Sequence, residues 1–253
     1  SGNYTVIGNI SSQFISGLLF ALPNADGDST ITIVPPIESR SYIGLTLSAL
    51  GKFGIDAGWQ DDHTLYIKGN QKFRPCSTSV EGDYSNAAFF DALNIIGGSV
   101  EVTGLASESL QGDSVYKRYF ELIAKGTPAI HIGDCPDLGP VMFSLAAAKH
   151  GGVFSGTKRL KIKESDRCES MAEELRKFGV SVDIGDDTVS VYPVSFDTPT
   201  EVLGGHNDHR IVMSLAVLLT KVGGKISGAE AVSKSFPDFF EKLEELGIEV
   251  EYD

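Results

Sequence analysis

Four stretches of the chain become apolar nearly all round after a polar start. They are "SSQFISGLLFALP" (11–23), "DYSNAAFFDALNIIGG" (83–98), "DLGPVMFSLAAAKHGG" (137–152) and "NDHRIVMSLAVLLTKVGG" (207–224). Helices apolar on every side are buried helices, not surface ones. A short strand is expected after each: "STITIV", "SVEVTG", "GVFSGT" and "GKISG". A second kind of helix then ends in "LGKFGI", "LIAKGT", "LRKFGV" or "LEELGI". In each, a Leu precedes a Gly by four positions: Leu50/Gly54, Leu122/Gly126, Leu175/Gly179 and Leu243/Gly247. The Leu packs the last turn, and the Gly is expected to supply the left-handed residue that stops the helix. Strands follow, twice as clear hairpins, "IDAGWQDDHTLYIKG" and "VSVDIGDDTVSVYP", with acidic and Gly turn residues between alternating apolar positions.

The chain is thus an α/β protein built from one repeated unit: buried helix, strand, loop, second helix, Gly, then a strand or hairpin. With a strand ahead of the first helix the unit reads βαββαβ, and four copies recur at roughly 50- to 70-residue spacing. The helices should lie inside with the sheets outside. The stretch "GNQKFRPCSTSVEGD" (69–83) has Pro, Ser and charges without a helical period, which places a boundary near residue 78. One unit (1–78) precedes it, and three (79–253) follow.

Charge changes this picture by exclusion. The net charge is −13, so a general nucleic-acid binder, which needs basic surface, is not expected. No apolar run reaches the roughly 18 residues of a membrane span. The opening "SGNYTVIGN" shows neither the basic start nor the apolar core of a signal peptide. The three cysteines, Cys76, Cys135 and Cys168, have no C-x-x-C spacing. They fit a reducing cytoplasm better than disulfides or a zinc site.

Against that acidic background the unusual polar residues recur at helix starts. Ser11, Ser12 and Gln13, then Asp137, then Asn207 to Arg210 open the first helices. Ser39 and Tyr42, Gln111 and Asp113, Lys163 to Arg167, and Lys234 open the second ones. A helix N-terminus offers unpaired N–H groups and a partial positive charge, a seat for phosphate or carboxylate. Lys or Arg added there opposes the dipole unless an anion is present. Ser11, Asp137 and Asp166 also suit a plain capping role, and Asp166 with Glu169 fits a capping box. Lys163, Glu164 and Arg167 are harder to read as surface. Cys168, Met171, Leu175 and Phe178 mark the inner face of their helix, and Glu164 and Arg167 extend that stripe toward its start.

In combination, "KIKESDRCESMAEELRKFG", "NDHRIVMSLAVL", "SKSFPDFFEKLEELG", "DLGPVMFSLAAA", "VEGDYSNAAFF" and "SSQFISGLLFALP" resemble the 5-enolpyruvylshikimate-3-phosphate synthase (3-phosphoshikimate 1-carboxyvinyltransferase) family. The resemblance runs in order over nearly the whole chain. It implies an inside-out α/β barrel of the enolpyruvyl transferase type, with two domains of three units each. Four of those six units are recognisable here, and the family's early G-S-K and glycine motifs are not. The chain is therefore expected to be a C-terminal portion, inactive alone, whose partner is the missing N-terminal part of the same enzyme.

The implied reaction belongs to the shikimate pathway. It moves the enolpyruvyl group of phosphoenolpyruvate to the 5-hydroxyl of shikimate 3-phosphate and releases phosphate, without a cofactor or metal. By the resemblance, Asp137 orients or deprotonates the hydroxyl, and Glu164 exchanges a proton at C3. Ser11, Ser12 and Ser39 hold the shikimate phosphate with help from Lys163, and Gln13 lies between the substrates. Arg167, Arg210 and Lys234 hold phosphoenolpyruvate, and Tyr42 and His209 support the site. Arg159 stands where some members have Asn. The alternatives are a UDP-N-acetylglucosamine enolpyruvyl transferase and a non-catalytic binding module of the same fold.

Overall fold

A computed structural model describes residues 1–38, 40–195 and 197–252. The chain divides into two compact units, Ser1–Glu81 with Ala106–Gly112, and Gly82–Leu105 with Asp113–Asp253. The return of 106–112 to the first unit has no counterpart in the two-block division read from the sequence.

In the first unit, β1 (Gly2–Ile7), α1 (Ser12–Ala21), β2 (Ser29–Val34), α2 (Arg40–Lys52), β3 (Ala57–Trp59) and β4 (Thr64–Ile67) follow in order. The sheet order is β1-β2-β4-β3. β1 runs parallel to β2, and β4 antiparallel to both β2 and β3. Alternate residues of β2 (Ser29, Ile31, Ile33) and β4 (Leu65, Ile67) face the core, where they meet Ile15, Leu19, Ile43 and Leu50 of α1 and α2.

The second unit opens with α3 (Tyr84–Ile95) and α4 (Tyr116–Lys125). β5 (Ala129–His131), α5 (Gly139–Ala148), β6 (Gly152–Ser155), α6 (Arg167–Arg176), β7 (Val182–Ile184) and β8 (Thr188–Val191) come next. They are followed by β9 (Leu203–Gly204), α7 (His209–Val222), β10 (Ile226–Ser227) and α8 (Phe239–Glu245). Its sheet, β5-β6-β8-β7, repeats the topology of the first, with one parallel and two antiparallel pairings. α5 is buried from Gly139 to Ala147 and packs on α7, itself buried from His209 to Leu218. Phe154 points into this core while Val153 faces outward, so helices lie inside and the sheet outside.

Several local expectations change. In the two units with four-stranded sheets one strand separates the helices, as the segment-by-segment reading has it, so the order is βαβαββ and the shorthand βαββαβ is corrected. The "SVEVTG" segment (99–104) forms no strand. The Asn94 side chain instead donates to the carbonyl of Val100 at 2.8 Å and accepts from its N–H at 2.6 Å, taking the bonds a ladder would need. α1 buries only Ile15 and Leu19 and leaves Phe14 and Phe20 exposed, since within this unit one sheet covers one side of it.

Gly54, Gly179 and Gly247 hold φ of +79°, +82° and +86°, the left-handed stop. Gly126 does not: its φ of 178° is extended, and any residue could adopt it. A Cβ at either Gly126 or Gly179 would meet nothing within 4 Å, so only backbone conformation separates them. Gly179→Ala should therefore cost about 1–2 kcal/mol in denaturant unfolding, and Gly126→Ala close to nothing. Equal losses would contradict these helix stops.

Candidate active site

The second unit gathers its candidate residues around Arg167, the first residue of α6. Asp166 caps the helix by accepting from the N–H groups of Cys168 and Glu169. This leaves Arg167 pointing inward, with its side chain 1% exposed. A guanidinium carries five donors in a rigid fork and cannot be neutralised, so burial requires acceptors around it. Nη1 donates to Asp137 at 2.8 Å, Nη2 to Glu164 at 2.8 Å, and Nε to Asp208 at 2.9 Å.

Each carboxylate comes from a different turn. Asp137 sits in the 3-10 turn Pro136–Leu138 ahead of α5. Asp208, 0% exposed, caps α7 by accepting from the N–H of Arg210 at 2.9 Å, and also accepts from the hydroxyl of Ser165 at 3.0 Å. Glu164 lies in the turn before Asp166. It therefore reaches Arg167 through the cap rather than along a helical stripe, the arrangement the sequence suggested. Its side chain is the most open of the three, at 39%.

Further cations close on Asp137. Lys163 Nζ lies 3.4 Å from one carboxylate oxygen and Arg210 Nη2 lies 3.6 Å from the other. Arg210 also donates to Asn86 at 3.1 Å and stands 5.7 Å from the centre of the Phe89 ring. Lys234, at the end of the 3-10 turn Ala229–Lys234 and not on α8, donates to the carbonyl and to the side-chain oxygen of Asn207. His209 is buried beside Asp208, its Nδ1 4.0 Å from the carboxylate.

The electrostatics follow from this crowding. Burial alone would raise the pKa of Asp137, but Arg210, Lys163 and Arg167 hold it well below the usual carboxylate range. Asp208 is likewise lowered despite burial, by its bond to Arg167. Burial, then the charge of Arg210, depresses His209 and keeps its imidazole neutral. Burial pushes the Cys168 thiol up to about 12, so it offers no thiolate nucleophile.

The first unit holds the remaining candidates. Ser11 caps α1 by accepting from the N–H of Gln13 at 3.2 Å. Ser12, Gln13 and Tyr42 line a groove of about 450 Å³ between α1 and α2, together with Ser16, Gly17, Phe20, Leu45 and Thr46. Ser39 lies outside the described residues. Sequence reasoning missed Asn86, and it treated Asp208 as part of a helix-start cluster, giving it no role of its own. The contact of Asn86 with Arg210 joins positions 124 residues apart and left no local trace.

Two solved structures share this fold. The chain is similar in fold to EPSP synthase from Acinetobacter baumannii, with a TM-score of 0.79 and 23% identity over 99% of this chain and 64% of that one. It is also similar to the enolpyruvyl transferase NikO from Streptomyces tendae, with a TM-score of 0.67 and 14% identity over 98% of this chain and 65% of that one.

The family model for EPSP synthase (3-phosphoshikimate 1-carboxyvinyltransferase) matches residues 2–243, and the chain belongs to that family. Two relatives named 3-phosphoshikimate 1-carboxyvinyltransferase illustrate the relation. That of Clostridium kluyveri is 37% identical over 99% of this chain and 63% of its own length. That of Clostridium acetobutylicum is 38% identical over 99% of this chain and 62% of its own. The chain thus spans somewhat under two thirds of these relatives.

The lowered pKa of His209 has a consequence for stability. A group held below its ordinary pKa contributes stability that is complete above its unfolded value and is lost as pH falls through its folded value. Below about pH 6.5 an unfolded imidazole takes up a proton that the folded one refuses. Comparing urea unfolding at about pH 7 and about pH 5, His209→Gln should lose less stability than the unaltered chain. Parallel pH curves for the two would contradict a buried, neutral His209.

Proposed function

We propose that this chain forms part of an enzyme that transfers the enolpyruvyl group of phosphoenolpyruvate to the 5-hydroxyl of shikimate 3-phosphate. Transfer is assigned to the full-length protein, because the relatives that carry the activity in their names are longer. The 253 residues alone are proposed not to turn over. The observation that carries the reading is Arg167 holding Asp137 and Glu164 at 2.8 Å each, which sets two carboxylates beside one cation with more cations around them. The family match supports the shikimate substrate over a UDP-sugar. The free cysteines support a cytoplasmic location.

The reaction forms a bond from the 5-oxygen to C2 and delivers a proton to C3. It then breaks the C2–phosphate bond as C3 loses a proton. Glu164, the exposed carboxylate, is assigned the proton at C3. Asp137 is assigned the hydroxyl proton. Held ionised by Arg210, Lys163 and Arg167, Asp137 accepts the hydroxyl's hydrogen bond but is a weak base. Bound anionic groups would neutralise those cations and raise its basicity as the substrates arrive. Arg210 and Lys234, with Arg167 behind them, are assigned the carboxylate and phosphate of phosphoenolpyruvate. Ser11, Ser12, Ser39, Gln13 and Lys163 are assigned to shikimate 3-phosphate, with Tyr42 and His209 in support.

Glu164→Gln in the full-length enzyme should lower kcat about 10²–10⁴-fold and leave both KM values nearly unchanged, because an amide keeps the shape but cannot exchange the proton. Unchanged turnover would remove Glu164 from the chemistry.

A further inference from the structure

Glu174 is a buried carboxylate with no part in the chemistry assigned above. It lies seven residues after Arg167 on α6, two helical turns on and so on the same face. Its side chain is 1% exposed, yet it is fully engaged. It accepts from the N–H of Gly204 at 2.7 Å, contacts His206 Nε2 at 2.8 Å, and accepts from Lys177 Nζ at 2.9 and 3.1 Å. Lys177 in turn donates to the carbonyl of Val202 at 3.1 Å. Glu173, Glu174 and His206 also bring possible metal-ligand atoms within 4.8 Å of one another. The ammonium of Lys177 already supplies the cation at Glu174.

Two of these partners, Gly204 and His206, belong to one segment, from the end of β9 into the turn before α7, and Lys177 at the end of α6 ties Glu174 to Val202 just ahead of β9. That turn is unusual in its backbone. His206 and Asn207 are consecutive non-glycine residues at φ of +49° and +53°. Such residues persist where their surroundings over-determine them. Here the surroundings are named groups on both sides: Glu174 contacts the His206 ring, while Lys234 donates to Asn207. The next residue, Asp208, caps α7, clamps Arg167 and is followed by His209 and Arg210. A carboxylate on α6 thus fixes the turn from which the cations assigned to phosphoenolpyruvate are hung.

We propose that Glu174 is a positioning residue, which through Gly204 and His206 sets the 204–208 turn and thereby the places of Lys234 and Arg210. The inference rests on the assignment of those two cations to phosphoenolpyruvate. It makes Glu174 selective: loosening the turn should weaken that ligand and leave shikimate 3-phosphate, assigned mainly to the first unit, unaffected.

The test uses two variants and two readouts. Glu174→Gln removes the charge, and His206→Ala, at a side chain 24% exposed, keeps Glu174 with Lys177 and Gly204. In the 253-residue chain, amide hydrogen exchange over 203–210 should speed up in both variants while α5 stays protected. In the full-length enzyme the KM for phosphoenolpyruvate should rise about ten-fold to a hundred-fold for Glu174→Gln and less for His206→Ala, with the KM for shikimate 3-phosphate unchanged. Arg210→Ala run alongside separates the two layers. If it spares phosphoenolpyruvate while the Glu174 variant still loosens 203–210, the clamp stands and the ligand assignment falls. Exchange that rises equally throughout the unit, or KM values that rise together, would overturn the proposal.

Discussion

A permanently charged guanidinium without water is the constraint around which the second unit is arranged. Arg167 cannot shed its proton, and leaving such a charge buried and unpaired would cost several kcal/mol. The chain meets this demand with carboxylates from three separate turns, Asp137, Glu164 and Asp208. Asp208 shares its carboxylate between Arg167 and the start of α7, so one residue fixes both a helix end and the guanidinium. The packing of α5, α6 and α7 and the charge pattern at their N-termini are therefore one problem with one solution.

That solution also prepares the site for anions. Asp137, Glu164 and Asp208 face Lys163, Arg167 and Arg210, and the formal charges balance. Lys234 adds one more cation, held by the neutral Asn207. On the proposed function, an incoming carboxylate or phosphate would compete with Asp137 and Glu164 for these cations. Glu174 extends the same logic two turns along α6, a second buried carboxylate satisfied by Lys177 together with the turn that feeds α7.

Much of this was legible in the sequence because it depends on local periodicity. All-round apolar helices, Leu-then-Gly helix ends and acidic hairpin turns mark elements within a few residues. The convergence of Lys163, Glu164 and Arg167 was also visible as charge on an inner face. What escaped depends on distant partners. Asn86 reaches Arg210 across 124 positions, and Glu174 reaches His206 across 32. In sequence, Glu174 is one acid in "AEELRK" and His206 a scattered histidine. Read segment by segment, the unit already had one strand between its helices, as the structure has it, and only the shorthand βαββαβ departs from that order. Gly126 does end α4, but in extended rather than left-handed backbone, because Gly marks a chain that can turn left-handed without requiring it to.

The central claim is that Arg167 and Asp208 act as one buried unit rather than as two independent residues. A double-mutant cycle on unfolding free energy, with Arg167→Met, Asp208→Asn and both together, measures that directly. A coupling above about 1.5 kcal/mol is expected, with the double variant losing far less than the sum of the single ones, because each single change strands the other buried polar group. Losses that add to within about 0.5 kcal/mol would contradict it.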